Sequence, residues 1–299
     1  MTAETPPEAL GTNTQCVICA LSAAPYCSLP PAYYFSCKSC GTIFQHPMPT
    51  LEAMRSYVDE EYTAGVYRDY VAARDLKLLT FGPRVEEIRR RAGVGRLLDI
   101  GASCGYFVDA ALERGFDAYG VELSAPAVAQ APERLRDRLI LGDINRLSEI
   151  HCSRYDVVTA FDIIEHTLDP LGFLNELRGV MKPGSWLVLT TPNTQHLLPY
   201  VLGRRWPMLQ PLQHTVLFSP RSLAAALSFA GFVDIKIGTA KKTLTVDYLA
   251  RQVSPHLPVA ARLYRTISRA VPAFVRGAPV SINIGEMMVF ARLPSQESL

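Results

Sequence analysis

Leu97-Leu98-Asp99-Ile100-Gly101-Ala102-Ser103-Cys104-Gly105 is an apolar strand running into a turn of small residues, and Glu122 ends the next apolar stretch. Together they specify a nucleotide-type pocket without a phosphate site. The small-residue turn lets a ligand approach the backbone, and a carboxylate ending the second strand can accept both hydroxyls of a ribose. A dinucleotide fingerprint requires glycine at the first, third and sixth positions of such a turn. Here those positions are Gly101, Ser103 and Tyr106. A tyrosine at the sixth crowds the helix start where a pyrophosphate must sit.

The downstream segments follow at βαβ spacing. Residues 106–114 read as a helix closed by Gly115, and 117–121 as a strand delivering Glu122. A third strand, 139–141, ends at Gly142-Asp143-Ile144, where an aspartate can meet an adenine amino group. Residues 155–161 form a fourth strand, followed by Asp162-Ile163-Ile164-Glu165-His166. Asp169-Pro170 is a helix cap with proline at the first position, and that helix runs to Met181. Lys182-Pro183-Gly184 turns the chain into a fifth strand, 186–190, ending Thr191-Pro192-Asn193. S-adenosyl-L-methionine, an adenosine without phosphate, suits such a pocket.

With these motifs the chain resembles the class I S-adenosylmethionine-dependent methyltransferases. The resemblance rests on residues 98–105, Val121-Glu122-Leu123, Gly142-Asp143-Ile144, 162–166 and Lys182-Pro183-Gly184, and covers roughly 85–292. The branch it is most similar to holds the ubiquinone-biosynthesis O-methyltransferases and many small-molecule and sugar methyltransferases. The resemblance implies an α/β fold: a doubly wound, Rossmann-like seven-stranded sheet. It also implies a cofactor site formed by Asp99, Gly101, Ser103, Gly105, Tyr106, Glu122, Leu123, Asp143, Ile144, Phe161 and Asp162. Ser103 departs from the glycine commonest there, but is small enough to keep the site.

Gly101-Ala102-Ser103-Cys104-Gly105 also matches the nucleophile elbow of α/β-hydrolases. That reading needs an oxyanion-hole glycine run upstream, which residues before 97 lack, and it leaves Asp99, Glu122 and Asp143 unexplained. A non-catalytic, zinc-scaffolded interaction protein with a degenerate pocket is the other rival. Intact Glu122 and Asp143 argue against it.

The chain has 299 residues, 48% of them hydrophobic and 19% charged, with a net charge of +2. That length holds one α/β domain of about 200 residues plus a small module. So small a net charge gives no electrostatic case for nucleic acid. Residues 1–15 read as a disordered polar tail without a basic-then-apolar leader, which with the absence of a long apolar run points to the cytoplasm. Cys16-Val17-Ile18-Cys19 and Cys37-Lys38-Ser39-Cys40 are two Cys-x-x-Cys pairs with 17 residues between them, the spacing of a zinc ribbon. Four thiolates leave no open position, so the Zn2+ is expected to be structural; an iron site or disulfides are the alternatives. Residues 20–36 carry Tyr26, Tyr33, Tyr34 and Phe35 but no lysine or arginine, which offers stacking surfaces without phosphate attraction. The expected division is ribbon at 16–48, a helical connector or lid at 49–84, and the cofactor-binding domain at 85–299 with an insertion at 239–283. Ribbons precede this domain in the resembled family.

Transfer of a methyl group to a hydroxyl needs a base, and histidine is best matched near neutrality. His166 lies at the carboxyl edge of the fourth strand, where doubly wound folds bind ligands. It reads as general base or acceptor contact, or as a histidine holding the loop before Asp169. In the ubiquinone-pathway relatives a similar acidic-x-x-Glu-His run is associated with a divalent metal beside the acceptor, which implies Asp162, Glu165 and His166 as one ligand set; Asp162 orienting the cofactor's methionine end is the other reading. His214, in His214-Thr215-Val216-Leu217-Phe218-Ser219, matches a segment common in that branch and follows the fifth strand.

Ser219-Pro220 caps a helix to Ala230, 232–237 is a sixth strand and 286–292 a seventh. Within the insertion, 259–271 is two-faced, with Arg262, Arg265 and Arg269 on one stripe. Such a helix packs on its own domain, forms a dimer contact, or binds anionic membrane weakly. The expected enzyme O-methylates a small-molecule acceptor, a sugar, phenol or natural-product intermediate. N- or C-methylation on the same fold is the alternative.

Overall fold

The computed structural model describes residues 14–54, 56–57, 73–143, 154–254, 262, 264, 266–268 and 270–295. The expectations for the tail to residue 13, for 58–72 of the connector, and for Ile144, Arg265 and Arg269 lie outside the described residues.

Leu97, Leu98 and Ile100 are fully buried, because the strand they occupy is covered on both faces. This strand, β5 (Arg96–Ile100), pairs in parallel with β6 (Asp117–Glu122) on one side and β8 (Tyr155–Phe161) on the other. β7 (Leu139–Leu141) adds in parallel to β6, and β9 (Met181–Pro192) to β8. β12 (Val280–Arg292) runs antiparallel between β9 and β11 (Val233–Leu244). The order is β11-β12-β9-β8-β5-β6-β7, so the chain reverses its direction of travel between β5 and β8. That reversal opens a crevice at the carboxyl ends of those two strands.

Alternate residues along the strands serve two cores. Helix α1 (Arg74–Ala92) and helix α2 (Tyr106–Leu112) cover one face, where Val85, Ile88, Phe107 and Val108 meet Leu97, Val157 and Phe290. Helix α3 (Ala125–Ala129) follows β6, with Ser124 capping it. Helices α4 (Pro170–Val180) and α6 (Pro220–Phe229) cover the other face, where Leu174, Leu177, Leu223 and Leu227 meet Leu98, Val158 and Leu189. Asp169 accepts the Gly172 N–H at 3.0 Å and Ser219 forms a capping box with Ser222, the stop-and-start signals read from sequence. α1 runs unbroken across position 85.

Three elements differ from the sequence reading. β9 begins at Met181 rather than after the Lys182-Pro183-Gly184 turn, because Met181 already pairs with Tyr155 across an irregularity in the ladder. β11 and β12 extend into the expected insertion and pair from Val233↔Arg292 to Leu244↔Val280. The irregular part therefore shrinks to 245–279, carrying α7 (Val246–Val253) and α8 (Ala273–Arg276). The antiparallel partners lie far apart in sequence, from Leu244↔Val280 to Val233↔Arg292 for β11 and β12, which periodicity cannot reveal.

The amino-terminal module is not free-standing. β1 (Thr14–Gln15), β2 (Ser22–Leu29), β3 (Ala32–Ser36) and β4 (Ile43–Gln45) form a sheet completed by β10 (Val216–Leu217) from the large domain. Tyr34 and Phe35, read as stacking surfaces, are 1% and 0% exposed and belong to the core. A short helix α5 (Leu197–Leu202) packs Leu198 and Leu202 against Tyr34, Ile43 and Trp206. No helix among the described residues is long and apolar enough to cross a membrane.

Candidate active site

The turn after β5 is shaped by residues that need the left-handed region: Gly101 (φ 73°), Ser103 (φ 51°) and Gly105 (φ 79°). A Cβ on Gly101 would sit 2.2 Å from Ile163 Cδ1, so the turn and the segment after β8 approach closely only because a side chain is absent. Glu122, 8% exposed, braces this turn. Its Oε2 accepts the Ser103 N–H and its Oε1 the Ser124 N–H, each at 2.8 Å. A carboxylate has about four lone-pair sites, so two remain for a ligand.

Asp99 is 3% exposed and accepts the Thr159 hydroxyl at 2.7 Å. Burial, with the Glu122 charge adding, pushes its carboxyl up to about 7 despite that bond. Tyr106 is buried at the start of α2 with the Arg74 guanidinium 5.9 Å from its ring centre. Leu123 is exposed and Asp143 half-buried. Phe161 stands half-buried at the crevice, its ring 4.7 Å from that of Phe107 and under the Arg84 guanidinium at 5.2 Å.

Asp162 (φ 57°) follows, and here the structure adds partners no local motif announces. Its carboxylate accepts the Thr190 hydroxyl at 2.8 Å and pairs with Lys242 at 2.9 Å. Lys242 also pairs with Glu286, which faces Arg84 Nη2 at 3.8 Å. Burial works to raise the Asp162 carboxyl, but the charges of Lys242 and Arg84 prevail and hold it well below the usual range. Lys77 is lowered to about 8 by burial and by Lys242. Arg84, Lys242 and Glu286 come from α1, β11 and β12, and only the antiparallel extension of the sheet brings them here.

Past the carboxyl end of β8 Glu165, His166 and His214 converge, each offering a ligand atom within 4.8 Å of the others. Glu165 is 1% exposed; it accepts the Thr191 hydroxyl at 2.9 Å, and burial, reinforced by Asp162, pushes its carboxyl well above the usual range. His166 Nδ1 lies 3.0 Å from the Gln213 carbonyl and His214 Nδ1 2.7 Å from the Met208 carbonyl. A carbonyl only accepts, so each Nδ1 carries the proton and each Nε2 is left as acceptor. Burial lowers His166, and burial, with the His166 ring beside it, takes His214 down to about 3, so both rings are neutral near pH 7. The ring centres are 4.7 Å apart. Asp162, expected beside Glu165 and His166 as a ligand, is instead held by Lys242 and Thr190.

Cys16, Cys19, Cys37 and Cys40 also gather within 4.8 Å. Cys16–Cys40 and Cys19–Cys37 sulfur distances are 3.5 and 3.6 Å. A tetrahedron of 2.3 Å zinc–sulfur bonds has edges of about 3.8 Å, so the donor set fits the ion. The two knuckles match: Ala20 N–H bonds to the Cys16 carbonyl and Gly41 N–H to the Cys37 carbonyl, with Ala20 (φ 58°) and Gly41 (φ 79°) both left-handed.

A methyltransferase-domain profile matches residues 67–237, more than half of the chain. The chain belongs to the methyltransferase-domain family. It is 33% identical over 104 residues to the ubiquinone biosynthesis O-methyltransferase of Leptothrix cholodnii, covering 33% of this chain and 44% of that protein. It is 29% identical over 123 residues to its namesake in Rhodopseudomonas palustris, covering 40% and 48%. The chain thus spans about half the length of the curated relatives it matches. The crystal structure of the YcgJ protein of Bacillus subtilis superposes with a TM-score of 0.51 at 17% identity, over 72% of this chain and 98% of that one. A SAM-dependent methyltransferase from Thermotoga maritima does so with a TM-score of 0.50 at 15% identity, over 82% and 100%. At these identities the likeness to the two chains shows the fold alone.

Proposed function

We propose that the protein methylates a hydroxyl of a small-molecule acceptor with S-adenosyl-L-methionine as donor. The observation that carries this reading is a neutral imidazole, His166, gathered with Glu165 and His214 just past the carboxyl end of β8, the strand that pairs with β5 ahead of the braced Gly101–Gly105 turn. When bound, the cofactor supplies an electrophilic methyl group on a sulfonium. Glu122 accepts the two ribose hydroxyls with the lone pairs the backbone leaves open, and Asp143 meets the adenine. Phe161, Phe107 and Phe81 keep water from the methionine end, which favours a reaction in which positive charge disappears. His166 Nε2 takes the acceptor hydroxyl's proton while that oxygen bonds to the methyl carbon and the sulfur–carbon bond breaks; the products are a methyl ether and S-adenosylhomocysteine. His214 suits this role less, because a ring taken down to about 3 is a weak base.

A second reading has its own support: Glu165, His166 and His214 form a two-histidine, one-carboxylate set whose imidazoles already donate Nδ1–H to backbone carbonyls, the arrangement of metal-ligating histidines. They would hold a divalent ion beside the acceptor, and such an ion supplies Lewis acidity toward a hydroxyl. The four cysteines are assigned to structural zinc, held best in a reducing compartment such as the cytoplasm.

The test is release of S-adenosylhomocysteine against a panel of phenols and sugars. His166→Ala is expected to lower turnover by about 10²–10⁴-fold with cofactor affinity nearly unchanged. A variant that retains most of its turnover removes His166 as base. Loss of turnover on chelation, restored by a divalent ion while the four-cysteine zinc stays in place, selects the metal reading.

A further inference from the structure

The ribbon reaches the acceptor side through one side chain. Gln45 ends β4, five residues past the ligand Cys40, and is 1% exposed. Its amide is fully engaged. The two hydrogens on Nε2 serve the His214 carbonyl at 2.9 Å and, shared between them, the Tyr34 hydroxyl at 3.3 Å and the Gln210 carbonyl at 3.4 Å, while Oε1 accepts the Leu212 N–H at 3.4 Å. Its own N–H donates to the Thr215 carbonyl at 2.9 Å. Every one of these contacts except Tyr34 falls on the segment 210–215.

That segment supplies the Nδ1 partner of His166 and carries His214 itself, whose own partner, the Met208 carbonyl, lies two residues before it. The Gln213 carbonyl holds His166 Nδ1, and Thr215 N–H and hydroxyl both bond to the Glu165 carbonyl, at 2.8 and 3.1 Å. The single Thr215 hydroxyl hydrogen is shared with the Thr167 carbonyl, the nearer acceptor at 2.7 Å. The segment is not relaxed by itself: Leu212 has φ 65°, a region a leucine enters only when its surroundings over-determine it. Gln45 grips the chain at that strained residue and two positions later. On the ribbon side, the Cys40 carbonyl accepts the Ser219 hydroxyl and the Gly41 carbonyl the Thr194 hydroxyl at 2.8 Å, so the second knuckle is anchored to the same domain.

We propose that Gln45 is a positioning residue: it clamps the 210–215 segment onto the ribbon and thereby fixes the Nδ1–H tautomer and orientation of His166 and His214. The four-cysteine knuckles then serve as the rigid base of this clamp. The inference rests on the methyl-transfer reading only for its catalytic consequence; the tautomer claim is a statement about geometry.

The experiment is nitrogen-15 NMR of the imidazoles in the zinc-loaded full chain, with calorimetric titration of S-adenosylhomocysteine alongside. In the parent both rings are expected as single Nδ1–H tautomers near neutral pH. Gln45→Met keeps length and apolar bulk but makes no side-chain hydrogen bond; it should retain zinc and S-adenosylhomocysteine affinity while one or both rings pass into a tautomer mixture. Turnover should fall about 10–100-fold, in kcat rather than in KM for the cofactor. Gln45→Glu keeps the acceptor for Leu212 and loses the donors, and is expected to shift His214 more than His166. If Gln45→Met does not fold, the parent and Gln45→Glu spectra decide. Nδ1–H tautomers unchanged in the folded variants, or Nε2–H tautomers in the parent, overturn the proposal. Shifted tautomers with unaltered turnover leave the clamp standing and instead remove His166 as base.

Discussion

Glu122→Gln separates the two jobs of one carboxylate. In the parent both oxygens are held by backbone N–H groups of Ser103 and Ser124 at 2.8 Å, leaving one lone pair on each for a ribose hydroxyl. Glutamine has a single carbonyl oxygen, so whichever way the amide lies, its NH2 faces one of those N–H donors. One backbone bond is lost in the free protein, and one hydroxyl loses a charged acceptor in the complex. A hydrogen bond to a charged group is worth about 1.5–3 kcal/mol. Unfolding by urea without ligand should therefore show a loss of about 1.5–3 kcal/mol. Calorimetric titration should show S-adenosylhomocysteine binding about 10- to 150-fold more weakly, at 1.4 kcal/mol per factor of ten. A folded variant whose Kd stays within about twofold of the parent refutes the assignment of Glu122 to the ribose, because a lost charged acceptor must cost more than that.

Elemental analysis should find about one zinc per chain, unchanged in Cys104→Ser and lost or loosened in Cys37→Ser; a metal-free, fully folded parent removes the tetrathiolate site. Lys242→Met strips Asp162 and Glu286 of their ammonium and should destabilise the fold by about 3–5 kcal/mol in urea unfolding, with an unchanged midpoint counting against the ion-pair cluster. The same variant has a pH signature. Asp162 is held below its unfolded value, so the parent gains stability above the unfolded pKa of about 3.9 and loses it as pH falls through the lower folded value; the variant should lack that acid limb. Gly101→Ala places a methyl against Ile163 in a left-handed turn and should cost about 2–4 kcal/mol by thermal unfolding, of which Ile163→Ala recovers the packing part alone.

The donor half of the site was legible because each of its parts is local. A strand, a turn of small residues and a carboxylate one βα unit later are set by neighbours within about thirty positions, and Asp99, Gly101, Ser103, Glu122 and Phe161 fall where such a unit must place them. The four cysteines were legible for a different reason: thiolate chemistry restricts the spacings that can close a tetrahedral site. Arg84, Lys242 and Glu286 were not legible. Each is an ordinary charged residue in its own segment, and it gains meaning only when α1, β11 and β12 converge on Asp162. The ribbon's fusion to the domain was hidden likewise, since β10 is two residues long and gives no periodic signal.

The same contrast explains why the donor is easier to name than the acceptor. The residues proposed to hold the cofactor all fall between positions 99 and 162, whereas the proposed acceptor side is assembled from residues around positions 45, 84, 165, 191, 213, 242 and 286. Each contact there is a pairing between distant segments, so the pocket's shape depends on how the ribbon, the long β11–β12 ribbon of strands and the 210–215 segment settle together. Changes in any one of them can alter the acceptor without touching the Gly101 turn or Glu122. A chain built this way can keep one methyl donor while its acceptor specificity drifts. A screen for the acceptor should therefore vary the groups that would meet Lys77, Lys242 and the imidazole pair, chiefly hydroxyl placement and a neighbouring negative charge. An acceptor preference left unchanged by replacing Gln45, Lys77, Lys242 and His214 in turn would contradict this assembly.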